Sequence, residues 1–128
     1  MFSNNDYETR VAEWVKCRRL IELSKSPIDF AISMYENVEQ NSLQYDPWDK
    51  KSWPTPWELI YANKYCAFTR ILGIIYSLKL TKMFSHSQFF LLICQNTVIG
   101  NIEFAFELDK KCYLYNSNHE ILTKISVE

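Results

Sequence analysis

Residues 88–95 read QFFLLICQ and residues 102–108 read IEFAFEL, and between them they decide the class of the fold. The first is apolar on both faces, as expected of a central strand covered from two sides. The second alternates, with Ile102, Phe104, Phe106 and Leu108 on one side, the period-2 pattern of a strand with one buried face. Further on, DKK (109–111) suits a turn, CYLYN (112–116) a third strand, and EILTKISV (120–127) a fourth, with Ile121, Thr123, Ile125 and Val127 on one face.

Upstream of residue 88 the period is helical. A first helix is expected from about Asp6 to Ser24, with Asn5 and Glu8 at capping-box spacing and Val11, Trp14, Val15, Arg18 and Ile21 along one face. SPID (26–29) starts a second helix, with Ser26 as N-cap and Pro27 at the first helical position. Residues 36–53 read as a loop with a turn opening at Asp46-Pro47. TPWE (55–58) repeats the capping signature with Thr55 and Glu58. The short helix it opens breaks near Asn63, a good N-cap for the next helix, which would place Cys66 at its third position. That helix buries Ala67, Phe68, Ile71, Leu72, Ile75 and Tyr76, and Gly73 allows close packing. Helices first and an antiparallel sheet of three to four strands last make one α+β domain over residues 1–128, with the Cys66 helix packed centrally on the sheet.

Composition narrows the function. The chain is 48% hydrophobic and 16% aromatic, which fits a packed globule. Its 14 Lys and Arg against 15 Asp and Glu give no field that would make nucleic acid or an anionic membrane the main partner. The N-terminus carries no secretory pattern and no apolar run approaches a bilayer span, so a soluble, cytoplasmic protein is expected. The four cysteines, Cys17, Cys66, Cys94 and Cys112, have no paired spacing and read as reduced thiols. With two glycines there is no phosphate-cradling loop, and no cofactor is expected. His86, Cys94, Cys112 and His119 could be imagined around a metal, but no pair has ligand spacing, so no metal is expected either. The abundance of Asn, Lys, Ile, Tyr and Ser fits an AT-rich genome, such as that of a phage or a marine bacterium.

WPTPWELI (53–60) followed by NKYCAFTRILGIIYSL (63–78) and then by an antiparallel sheet resembles the transglutaminase-like superfamily, a branch of the papain-like cysteine-enzyme folds, and within it the small bacterial transglutaminase-like cysteine proteinases. The resemblance runs over roughly residues 46–116, although Lys64 and Tyr65 stand where the family has a glycine and an acidic residue. It implies a nucleophile at Cys66, activated by a helix N-terminus and an imidazole. It also implies a histidine at the start of the second strand and an aspartate at the end of the third. Those two positions fall on Asn101 and Asn116. Asparagine at 116 could still orient an imidazole, but a carboxamide at 101 neither takes nor gives a proton near neutral pH.

The expectation is therefore a transglutaminase-like domain that has lost catalysis and serves as a binding or structural module for a protein partner, such as a phage virion or assembly component. The alternative is an active cysteine peptidase or amide-transfer enzyme that uses Cys66 with His86. Beside both stands the plain reading of Cys66 as a small core residue. Glu58 is read as a capping residue rather than a catalytic carboxylate. Trp48, Trp53 and Trp57, with Pro54 and Pro56 between them, are read as a rigid aromatic lid over the core.

Overall fold

The computed structural model describes residues 6–38, 40–42 and 45–128. Four helices, α1 (Tyr7–Leu23), α2 (Pro27–Met34), α3 (Pro56–Ala62) and α4 (Ala67–Lys79), precede four strands, β1 (Phe89–Asn96), β2 (Ile102–Leu108), β3 (Lys111–Tyr113) and β4 (His119–Val127). A single 3-10 turn, Lys50–Ser52, interrupts the loop before α3. The strands form one antiparallel sheet in the order β3-β2-β1-β4, an α+β arrangement with the helices on one face.

Local sequence explains most helix ends. Asp6 caps α1 by accepting the Thr9 N–H at 2.8 Å, while the expected partner Asn5 lies outside the described residues. Pro27 opens α2, but the Ser26 side chain makes no capping bond there. The box at α3 forms as the sequence suggests: the Thr55 N–H donates to Glu58 Oε1 at 2.9 Å and the Glu58 N–H to Thr55 Oγ1 at 3.2 Å. Two expectations need correction at the α3–α4 junction. Asn63 ends α3 in the left-handed region, with φ 51°, instead of starting α4. The N-cap of α4 is Cys66 itself, not a residue three positions earlier.

The helix α4 is the centre of the core. Phe68, Leu72, Ile74, Ile75 and Leu78 are fully buried, whereas Ala67 is exposed and Tyr76 only half-buried. Along its back, α1 and α2 pack through a polar contact inside the apolar core. The Trp14 Nε1–H donates to Ser77 Oγ at 2.9 Å, and the Tyr35 hydroxyl meets the same oxygen at 2.9 Å. Gly73 lets the Tyr35 ring reach α4, since a Cβ there would lie 2.7 Å from Tyr35 Cε1.

The central strand is β1, between β2 and β4, and Leu91, Leu92, Ile93 and Cys94 are fully buried in succession. Its inner residues Phe89, Leu91 and Ile93 meet α4 together with Phe106, Leu108 and Val127. On its outer face Leu92 and Cys94 cluster with Ala105, Phe90 and Cys112. No described helix packs on that cluster; charged side chains border it. The Lys124 ammonium sits 4.6 Å from the centroid of the Phe90 ring and pairs with Glu107 Oε2 at 2.9 Å. Desolvation in this layer, with the Cys112 thiol and the Glu103 carboxyl near, pushes the Cys94 thiol up to about 11.

The β2–β3 turn at Asp109 and Lys110 has φ 47° and 73°, the two left-handed residues of a tight hairpin that suits strand twist. Leu114, at φ 60°, ends β3 after three residues, shorter than the five expected. In β4 the register slips: Ile93 pairs with Thr123 but Cys94 with Ile121, leaving Leu122 as an extra residue. This bulge turns Ile121 to the outer face, away from Thr123, Ile125 and Val127 with which the alternation grouped it.

Candidate functional site

The site grows from the start of α4. The Cys66 N–H donates to Thr69 Oγ1 at 2.9 Å, and Sγ lies 3.4 Å from the same oxygen. One turn of helix thus fixes the thiol, which is 5% exposed. The preceding loop is tied to this point from the other side. The Asn41 N–H donates to the Tyr65 carbonyl at 2.7 Å, and Gln40 bridges Tyr65. Asp46 Oδ1 accepts the Trp48 N–H at 2.9 Å, and the Trp53 Nε1–H holds the Pro47 carbonyl at 3.1 Å.

Between that loop and the sheet lies a cavity of about 700 Å³ with Cys66 and Ala67 on its wall. Tyr45, Pro47 and Trp48 border it on the loop side, and Ile102 and Phe104 on the side of β2. The Trp cluster therefore divides its work. Trp53 is buried in the core against Phe68, while Trp48 is 52% exposed at the cavity and Trp57 is 46% exposed on α3, so the three do not act together.

The sequence-derived triad positions do not assemble here. Asn101 precedes β2, is exposed, and accepts the Asn96 N–H through its carbonyl at 2.8 Å. The register Gln95↔Ile102 puts Ile102 on the α4 face, so an alkyl side chain, not a carboxamide, borders the cavity at the start of β2. Asn116 lies in the β3–β4 loop, exposed; its N–H donates to His119 Nδ1 at 3.1 Å and its Oδ1 accepts the Asn118 N–H at 2.9 Å. His86 sits in the turn beyond the C-terminal end of α4. Thirteen helical residues at 1.5 Å each set that end about 20 Å from Cys66.

The second histidine is also placed away from the thiol. His119 pairs with Asn96, on the outer face of the sheet. Its Nδ1 accepts from Asn116, so Nε2 carries the proton donated to Glu103 Oε1 at 2.6 Å. The chain's two histidines are thus both remote from Cys66. No group of three His, Cys, Asp or Glu among the described residues could hold a metal ion. No described helix is long and apolar enough to cross a membrane.

Glu103 offers a pH test. The His119 hydrogen bond, and then that of Asn96 Nδ2 at 3.1 Å, hold its carboxyl below the usual carboxylate value. A carboxyl whose value is lower folded than unfolded adds stability above the unfolded value and loses it as pH falls through the folded one. Urea midpoints of the wild type should therefore fall more steeply than those of Glu103→Gln below about pH 5. Parallel curves would show that the pair contributes nothing.

In comparisons with known proteins, the chain matches no family model, no curated protein and no solved structure. The cavity residues Tyr45, Ile102 and Phe104 were not singled out as a site from sequence. Tyr45 lies in a stretch without periodicity, and the two β2 residues read as ordinary core.

Proposed function

We propose that this chain is a binding module whose fold resembles the transglutaminase-like enzymes but which does not use their chemistry. The cavity over Cys66 would receive an apolar or aromatic side chain of a protein partner. The observation that carries this reading is the cavity's composition: a fixed cysteine at a helix N-terminus, facing Ile102, Phe104, Pro47 and Trp48, with both imidazoles elsewhere. A cysteine nucleophile acting on an amide needs a group that takes the thiol proton and returns it to the leaving amine. The carboxylate bordering the cavity, Asp46, is engaged with the Trp48 backbone. Concave, mostly apolar walls with few polar groups are the usual make-up of a recognition site.

Site-resolved alkylation tests it. Iodoacetamide should label Cys66 slowly in the native protein and quickly after denaturation, at rates indifferent to His86→Ala and His119→Ala. A peptide selected for binding should slow the labelling further and lose its hold on Ile102→Lys. Rapid native labelling that either histidine substitution abolishes would overturn the reading in favour of an enzyme.

A further inference from the structure

A second cavity, of about 450 Å³, is lined by Tyr7, Tyr45, Trp57, Glu58, Tyr61 and Ala62. Four of these six are aromatic and one is a carboxylate. We propose that this cavity is a binding site for an alkylated ammonium ion, either a small quaternary amine or a methylated lysine side chain.

Three observations support that ligand chemistry. The aromatic walls stand at angles to one another instead of stacking shut: Tyr7 and Tyr61 meet at 5.5 Å with planes 62° apart. Trp57 rests on buried Trp14 at 5.2 Å and 79°, which fixes it while 46% of its surface stays open. Ring faces attract a cation through their quadrupole, and tryptophan does so best.

The charge in the cavity has the complementary sign. Hydrogen bonds from the Thr55 backbone and side chain hold the Glu58 carboxyl below its usual value, so it is ionised at neutral pH. Among the described residues that line it, none is basic. Arg10 stands behind the α3 wall, where its Nε and Nη2 donate to the Ile60 and Tyr61 carbonyls at 3.0 and 2.9 Å, so the helix end accepts its charge while Glu58 supplies the carboxylate of the lining.

An alkylated ammonium fits better than a free one. A lysine ammonium brings three N–H donors that each need an acceptor, which rings supply poorly. A quaternary head needs only ring faces and a nearby negative charge. Tyr45 borders both this cavity and the one over Cys66, but the remaining walls differ.

The test follows the Trp57 indole N–H resonance of the intact protein during titration with choline and with its neutral carbon isostere, 3,3-dimethylbutan-1-ol. Choline should bind saturably, and the isostere at least about fivefold more weakly. Trp57→Leu and Tyr61→Leu should each weaken choline about fivefold. The 69% exposure of Tyr61 makes its variant the one sure to fold. Glu58→Gln, which keeps a side chain able to close the capping box, should weaken choline about threefold. A trimethyl-lysine peptide that binds more tightly than choline, with its unmethylated counterpart weaker, assigns the site to a protein ligand; the reverse order assigns it to a small amine. Equal binding of choline and the isostere, unchanged binding in folded Tyr61→Leu, or no saturable shift with any probe would overturn the proposal. Cys66 labelling, unaltered in Tyr61→Leu, separates failure here from failure of the reading of the first cavity.

Discussion

Ile93→Asp is expected to leave the domain unfolded at room temperature. Ile93 is fully buried on the central strand, paired to Phe104 of β2 and to Thr123 of β4, and it faces α4. A carboxylate there has two courses, and both are costly. Charged, it sits unpaired in an apolar layer, which costs several kcal/mol even after relaxation. Protonated, it still forfeits the alkyl burial and packing of isoleucine, worth about 2–5 kcal/mol by analogy with large-to-small core changes. It also leaves a carboxyl group with unmet hydrogen bonds. Against a total of about 5–15 kcal/mol for a domain, either course removes most of the margin. The control is Leu122→Asp on the neighbouring strand. Leu122 is the bulge residue and 42% exposed, so this variant should shift the urea midpoint little. Far-UV circular dichroism with urea titration of both variants decides the matter. A cooperative melt of Ile93→Asp near that of the wild type would mean that β1 is not the buried centre of the sheet.

How much of this could be read beforehand depended on whether the signal was local. QFFLLICQ carries its own evidence, because a strand buried on both faces is apolar at successive positions, and Leu91 to Cys94 of β1 are so buried. The Thr55–Glu58 box is equally self-contained, being made by four consecutive residues. The Asp-Lys turn is local too. What failed was register. The bulge at Leu122 cannot be inferred from a segment that alternates cleanly by eye, because it records how β4 accommodates β1. The same error of one residue displaced the candidate site. The resemblance set Asn101 at the start of β2, where the family's histidine stands, but the pairing of Gln95 with Ile102 gives the α4 face to Ile102. In a strand, one residue is the difference between two faces. Likewise Asn63 was read as starting a helix when its left-handed backbone ends one. Asparagine suits both roles, and only the path of the chain separates them. Tyr45 and Trp48 belong to a loop whose position is fixed by a bond from Asn41 to Tyr65, distant in sequence, and by the Trp53 indole on Pro47 within the loop itself.

Gly73→Ala is expected to destabilise the domain by about 1–3 kcal/mol, against the trend for a helical glycine. In an exposed helix interior the same change gains up to about 1 kcal/mol, because glycine has more backbone freedom to lose. Here the new methyl would stand 2.7 Å from Tyr35 Cε1 and 3.0 Å from Cζ, closer than carbon atoms tolerate. The sign therefore turns on whether the Tyr35 ring can step aside. Its hydroxyl is held at 2.9 Å by Ser77 Oγ, which also takes the Trp14 indole N–H. Its ring meets Tyr65 edge-on at 5.7 Å, and its own carbonyl accepts from Arg70 Nε at 3.1 Å. Burial pushes the phenol well above its ordinary value, so it stays neutral and hydrogen-bonded to Ser77 at neutral pH. A ring fixed at the hydroxyl, the edge and the backbone has nowhere to go, and the strain passes to α4 itself. The decisive measurement is a double-mutant cycle with Tyr35→Leu. Tyr35→Leu alone is costly, since it empties space beside α4 and leaves Ser77 with one partner fewer. In that background the three Tyr35 atoms that crowd the methyl are gone, and Gly73→Ala should become neutral or stabilising by up to about 1 kcal/mol. Reversal of sign between the two backgrounds is the outcome expected from urea midpoints. An equal loss in both would mean that Gly73 is needed for its backbone freedom and not for the ring that lies against it.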